Sequence, residues 1–190
     1  MLLTLGNSLT TIGYGAFDGV PFSGALVIPE TVTVISTYAF RYNGFNGSLT
    51  IPDAVTSLGG HSFFGCNKFS GSLTIGTGIT IIASATFRGC LGLTGSLNIP
   101  IGVTSIGDYG FYSCSNLVSI SMYDVPTGTG TFGGGTVTPI LLSYAPTTQP
   151  TSYPTSQPTS ERVTIVTSTR DALQYFVGTF KNLIKPGLRL

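Results

Sequence analysis

Five stretches of the chain place apolar residues at the same uneven intervals. They are "LTLGNSLTTIGYGAF" from Leu3, "LVIPETVTVISTYAF" from Leu26, "LTIPDAVTSLGGHSF" from Leu49, "LTIGTGITIIASATF" from Leu73 and "LNIPIGVTSIGDYGF" from Leu97. The starts lie 23, 23, 24 and 24 residues apart, and every copy is apolar at offsets zero, two, six, nine and fourteen. Neither a helical nor a strand period runs through a whole copy, but exact recurrence at this length predicts a solenoid. Offsets zero and two, such as Leu49 and Ile51, share one face of a short strand because strand side chains alternate. Pro29, Pro52, Gly76 and Pro100 then end that strand. The second apolar pair, such as Val55 and Leu58, lines another short segment that turns the corner. Phe17, Phe40, Phe63, Phe87 and Phe111 each follow a small residue (Ala16, Ala39, Ser62, Thr86, Gly110), so one coil can nest on the next. Parallel pairing would stack equivalent residues about 4.8 Å apart. No coil buries its apolar face alone, so the stack is the folding unit.

The polar positions follow from the same alternation. If Leu49 and Ile51 point inward, Ser48 and Thr50 point outward, and so do Ser72 with Thr74, Ser96 with Asn98 and Ser119 with Ser121. The earlier copies carry Leu2 with Thr4 and Ala25 with Val27 instead. Offset seven is Thr10, Thr33, Thr56, Thr80 and Thr104 without exception. Threonine favours strands, and cross-strand Thr pairs stabilise a wet sheet face, which gives these columns a structural reason to exist. They also form a flat, uncharged surface, and Ser48, Thr50, Ser72, Thr74, Ser96 and Asn98 are the candidate partner-binding residues.

The pattern divides the chain into residues 1–122, a solenoid of five repeats and a partial sixth, and three further segments. Ile120 and Met122 start a sixth strand, but 123–144 lacks the later columns and reads as a degenerate last coil or cap. Residues 145–160, "APTTQPTSYPTSQPTS", form a Pro/Thr/Ser-rich linker suited to an extended polyproline II spacer and, if exported, to O-glycosylation. Residues 161–190 change character. Val163, Ile165 and Thr167 alternate as in a strand, and Ser168 with Asp171 resembles a capping box. Leu173, Phe176, Val177, Phe180, Leu183 and Ile184 share one face of an amphipathic helix that Pro186 ends. At about 15 residues this helix is too short for a bilayer, and no other run approaches the required length.

Only 8% of the residues are charged, against about 25% in an ordinary soluble domain, and the net charge is +1 without a basic run. A nucleic-acid surface is therefore not expected. The N-terminus has no positive region ahead of a long apolar stretch, so the chain as it stands reads as not exported. Its first coil begins two residues after Met1 without a polar cap, which predicts a fragment, an end-to-end oligomer or a poorly soluble chain.

Candidate chemistry is sparse. Cys66, Cys90 and Cys114 recur at the repeat length, all at offset seventeen, and not at a metal-ligand spacing. Residues in register on stacked coils also fit disulfide geometry poorly. A column of buried free thiols is expected, and this favours a reducing compartment. His61, the single histidine, shares offset twelve with Gly15, Tyr38, Ala85 and Tyr109, a variable and half-exposed column. No convergent partner beyond Asp53 supports catalysis. "GTGTFGGG", Gly128 to Gly135, lacks the Lys and Ser/Thr of a phosphate loop and reads as a flexible turn. Asn46-Gly47-Ser48 is an N-glycosylation sequon at a turn. No cofactor and no metal is expected.

The recurring "LxIPxxVTxIGxxxFxxC" resembles the BspA-like class of leucine-rich repeats over about Leu3 to Met122. Val20 and Asn43 stand where the pattern has Cys, and two copies lack the Pro. The resemblance implies a curved solenoid with one parallel sheet, a place at the cell surface or outside the cell, and an adhesion or recognition role without catalytic residues. The favoured function is thus a non-enzymatic scaffold that binds a protein partner through its sheet face. Two alternatives stay open: a binder of glycan or of an ordered solid through the Ser/Thr columns, and an accessory arm or fragment of a larger receptor or enzyme.

Overall fold

The structure, a computed structural model, describes residues 1–123, 127–133, 139–144 and 162–164. It is a β-solenoid of stacked coils, with no helix among the described residues. In chain order the strands are β1 (Thr11–Ile12), β2 (Val34–Ile35), β3 (Leu49–Ile51), β4 (Ser57–Leu58), β5 (Leu73–Ile75) and β6 (Ile81–Ile82). They continue with β7 (Gly95–Asn98), β8 (Ser105–Ile106), β9 (Leu117–Tyr123), β10 (Pro139–Tyr144) and β11 (Arg162–Thr164). The Pro/Thr/Ser-rich linker, Ser168 with Asp171, and the amphipathic helix lie outside the described residues.

The inward pattern is the expected one. Leu49, Val55, Phe63, Ile79, Ile82 and Phe87 are each 0–5% exposed, and they belong to one continuous apolar core. Phe17, Phe40, Phe63, Phe87 and Phe111 stack in sequence with centroids 5.2–5.7 Å apart and rings within 18° of parallel. A second aromatic column, Phe22, Phe45 and Phe69, runs beside it at 5.9 and 6.4 Å, and the core continues through Leu93 and Leu117.

The turns that carry the main Phe column also carry the most regular hydrogen bonding. In each coil the N–H groups at offsets twelve, fourteen and sixteen donate to carbonyls of the following coil. Gly15, Phe17 and Gly19 bond to Thr37, Ala39 and Arg41, and His61, Phe63 and Gly65 bond to Ser84, Thr86 and Arg88, at 2.8–3.0 Å. The same triplet joins all six coils, ending with Tyr109, Phe111 and Ser113 on Thr129, Thr131 and Gly133. The intervening N–H groups close tight turns within their own coil, as Ala16 does on Gly13 and Asp18 on Gly15. Offsets twelve and sixteen are left-handed in every copy: Gly15, Tyr38, His61, Ala85 and Tyr109, then Gly19, Tyr42, Gly65, Gly89 and Ser113, with φ between 54° and 76°. The variable column around His61 is therefore uniform in backbone, not in chemistry. Gly65 is doubly required, since a Cβ there would come within 2.5 Å of the Tyr42 ring.

Three expectations need correction. The resemblance implied one parallel sheet, but the parallel strands fall into separate ladders. One joins β1, β2 and β4, a second β6 and β8, a third β3 and β5, and a fourth β7, β9 and β10, with β11 antiparallel at its edge. The strands expected at Leu3 and Leu26 do not form. Ala25 makes an isolated bridge to Asn46, two residues short of the expected Ser48, so Leu26–Ile28 misses the register of β3. The later columns of the sixth coil are present after all, displaced because the coil is shorter. Thr127 bridges Ile106, and Phe132 stacks on Phe111 at 5.8 Å. "GTGTFGGG" thus begins inside the turn ladder, and Thr131 fills the small-residue position at 3% exposure.

Candidate functional site

Ser48, Thr50, Ser72, Thr74, Ser96 and Asn98 are all exposed, on or beside β3, β5 and β7. The pairing of β3 with β5 sets Thr50 opposite Thr74, and the Ser72 hydroxyl donates to the Ser48 hydroxyl at 3.3 Å. Further along, the Ser119 hydroxyl donates to that of Ser96 at 2.9 Å, and Ser121 donates to the Asn98 side-chain oxygen. Between these two groups the ladder is open, because β5 and β7 belong to different sheets. On the other side of β7 the register with β9 shifts by one residue between Gly95 and Ser96, which leaves Val118 of β9 unpaired, and Gly95 itself has φ +78°. A groove of about 310 Å³ lies between β5 and β7, lined by Ser72, Thr74, Thr77, Ser96, Asn98 and Pro100, with the main chain of the buried Leu73 and Ile75 between them. Four of the six sequence-derived positions thus line one groove, whereas Ser48 and Thr50 stand outside it. The regular register that an ordered solid would require stops at the same place.

The threonine column is partly engaged. The hydroxyls of Thr33, Thr56 and Thr104 donate to the carbonyl of the preceding coil's threonine at 3.3, 3.4 and 3.0 Å. Asp53 accepts the backbone N–H of Thr77 at 2.7 Å and its hydroxyl at 3.0 Å, and these bonds hold its carboxyl below the ordinary range.

The three thiols are buried, and each donates to the main-chain carbonyl of a Phe in the preceding coil. Cys66 bonds Phe40 at 2.9 Å, Cys90 bonds Phe63 at 3.1 Å and Cys114 bonds Phe87 at 3.1 Å. Asn43 performs the same task at the same offset, donating its amide to Phe17 at 2.6 Å. Burial pushes Cys66 and Cys114 up to about 12 and Cys90 well above its ordinary value, so these are donors, not nucleophiles. Among the described residues no cluster of His, Cys, Asp and Glu could hold a metal ion, and no helix is long and apolar enough to cross a membrane.

Sequence reasoning missed an aromatic ridge on the turn side. Tyr14 meets Tyr38 edge-on at 5.5 Å, Tyr38 meets His61 at 5.2 Å, and His61 meets Phe64 at 5.5 Å. Arg41 lies 4.4 Å over Tyr38 and forms a two-pronged ion pair with Asp18 at 2.6 and 2.8 Å. This pairing holds the Asp18 carboxyl below its ordinary value. Arg88 lies 5.0, 5.1 and 5.6 Å from the rings of Tyr109, Tyr112 and Phe64. Its signal in the sequence was the concentration of Tyr, His and Arg at offsets eleven, twelve, fifteen and sixteen, on a chain whose other outward positions are mostly Ser, Thr and Gly.

No curated protein matches the chain. Among solved structures it is similar to a leucine-rich repeat protein from Bacteroides ovatus, at 21% identity and a TM-score of 0.37. That likeness covers 68% of this chain and 45% of the other, so the chain spans less than half of that relative. The BspA type leucine rich repeat region matches residues 2–94 and 34–133, in six copies. With six stacked coils and a repeat model spanning most of its length, the chain belongs to the BspA type leucine rich repeat family.

Proposed function

We propose that the solenoid is a non-enzymatic recognition arm that binds a protein partner through its strand face. The observation that carries this reading is the groove between β5 and β7, lined by the exposed Ser72, Thr74, Ser96 and Asn98 together with Pro100. Small exposed polar groups beside a proline suit a protein surface that supplies its own hydrogen bonds. The stacked coils hold these groups on a rigid frame, which lowers the ordering cost of binding. Family membership supports a scaffold role of this kind.

Changing Thr50, Thr74 and Asn98 together to Glu tests the reading. The melting temperature should fall only modestly, since the side chains are exposed and the main cost is the like charges facing each other at positions 50 and 74. Proteins retained by the wild-type arm in affinity purification should be lost. An unchanged set of retained proteins would count against this face.

A further inference from the structure

We propose that the aromatic ridge is a second docking surface, occupied by an extended segment of a partner protein that carries Asp or Glu side chains. It is independent of the strand-face reading and uses other residues.

The distribution of charge points here first. Residues 1–133 contain three cations, Arg41, Lys68 and Arg88, and two of them stand on this ridge. Five of the six tyrosines in the same span, Tyr14, Tyr38, Tyr42, Tyr109 and Tyr112, stand there too. Tyr and Arg are enriched at interface hot spots, Tyr because it buries much area at little entropic cost and Arg because its planar fork of donors recognises carboxylates.

The two arginines differ in what they can still do. Arg41 is closed by Asp18. Arg88 has three rings around its guanidinium and no ion pair among the described residues. The carboxylate of Asp108, one residue before Tyr109, accepts the Thr129 backbone N–H at 2.6 Å. A guanidinium already fixed by aromatic faces retains its planar fork of donors and loses little freedom when a carboxylate arrives. His61 stands between the arginines, and after burial their positive charges lower its pKa further, so the field at His61 is positive. One guanidinium without an ion pair, beside the exposed Tyr109 and the half-buried Phe64 and Tyr112, suits a side-chain carboxylate flanked by apolar residues. A nucleic acid would demand several cations in a row.

An array of short peptides with Glu or Asp among apolar residues, each beside its Gln or Asn copy, tests the proposal on the full chain. The tightest peptide is then titrated by fluorescence anisotropy. Losing the charged partner should weaken binding about tenfold or more, as for a charge-assisted hydrogen bond. Arg88→Met keeps the stem against the rings and should bring the acidic peptide down to the level of its amide copy. Arg88→Lys should fall between, because an ammonium lacks the fork. The strand-face triple variant should bind the peptide like wild type, so failure here and failure of the strand-face reading are told apart. Equal binding of acidic and amide peptides, unchanged binding by Arg88→Met, or stronger binding of a single-stranded oligonucleotide than of every acidic peptide would overturn the proposal.

Discussion

The turn side and the strand side of this solenoid are built from the same repeat but bonded differently. On the turn side three N–H groups per coil reach the next coil at every interface from the first to the sixth. On the strand side one ladder stops between β4 and β6 and the other between β5 and β7. The turn side also contains the stacked Phe rings and the cysteine column. Register is therefore kept by the turns, and the strands can open or bulge without unstacking the coils. A groove can form on the strand face for this reason.

The largest effect that would break the contrast is loss of a ring from the turn side. Phe63 is fully buried between Phe40 and Phe87, so Phe63→Ala should cost about 3–5 kcal/mol by the rule for large-to-small core changes. Urea denaturation would measure it. A cost no larger than that of exposed Thr74→Ala would remove the distinction between the two sides.

The donor column gives a smaller effect of opposite sign. Asn43 caps the Phe17 carbonyl but leaves its own Oδ1 buried and without a partner. Asn43→Cys keeps a donor and removes the orphan acceptor, so it should stabilise the arm by about 1 kcal/mol. Cys90→Val has no such compensation. It strips the Phe63 carbonyl of a donor and should lower the urea midpoint, whereas loss of both effects would show that packing alone explains the column.

Acid gives the smallest and most gradual test. The His61 pKa is lowered, so its contribution is complete above the ordinary 6.5 and is lost as the pH falls from there through its folded value. Asp18 and Asp53 are lowered too, so theirs is complete above 3.8 and is lost below it. The melting temperature should fall in two steps on acidification. His61→Gln should remove the upper step, and Asp53→Asn should shrink the lower one.

Much of this architecture could be read from residue order, because the coil-to-coil distance is fixed by stacking and each buried position returns at a constant offset. The Phe17 to Phe111 column and the Leu, Ile and Val pairs are of this kind. The Phe22, Phe45 and Phe69 column escaped notice because one extra residue enters between Cys66 and Phe69, compared with Asn43 and Phe45. The sixth coil escaped for a similar reason, since Thr127 follows Ile120 two residues sooner than Ile106 follows Leu97. His61 belongs to a column defined by positive φ, which Gly, Tyr, His and Ala all satisfy here, so its chemistry looked random. The ridge draws rings from four separate offsets, and contacts such as Tyr14 with Tyr38 and Tyr38 with His61 arise only when the coils are stacked. The strand-face candidates followed from alternation alone, but the opening that gathers four of them appears only where the pairing stops between β5 and β7.

The turn ladder has a direction. Every coil offers donors on one rim and acceptors on the other, and each bonded peptide unit points its N–H toward the C-terminal neighbour. A coil inserted in the native orientation would fit both rims at once, and an inverted one would meet donor with donor. Tandem duplication of a whole coil is therefore a ready route for lengthening such an arm, with old and new copies sharing one sense of alignment.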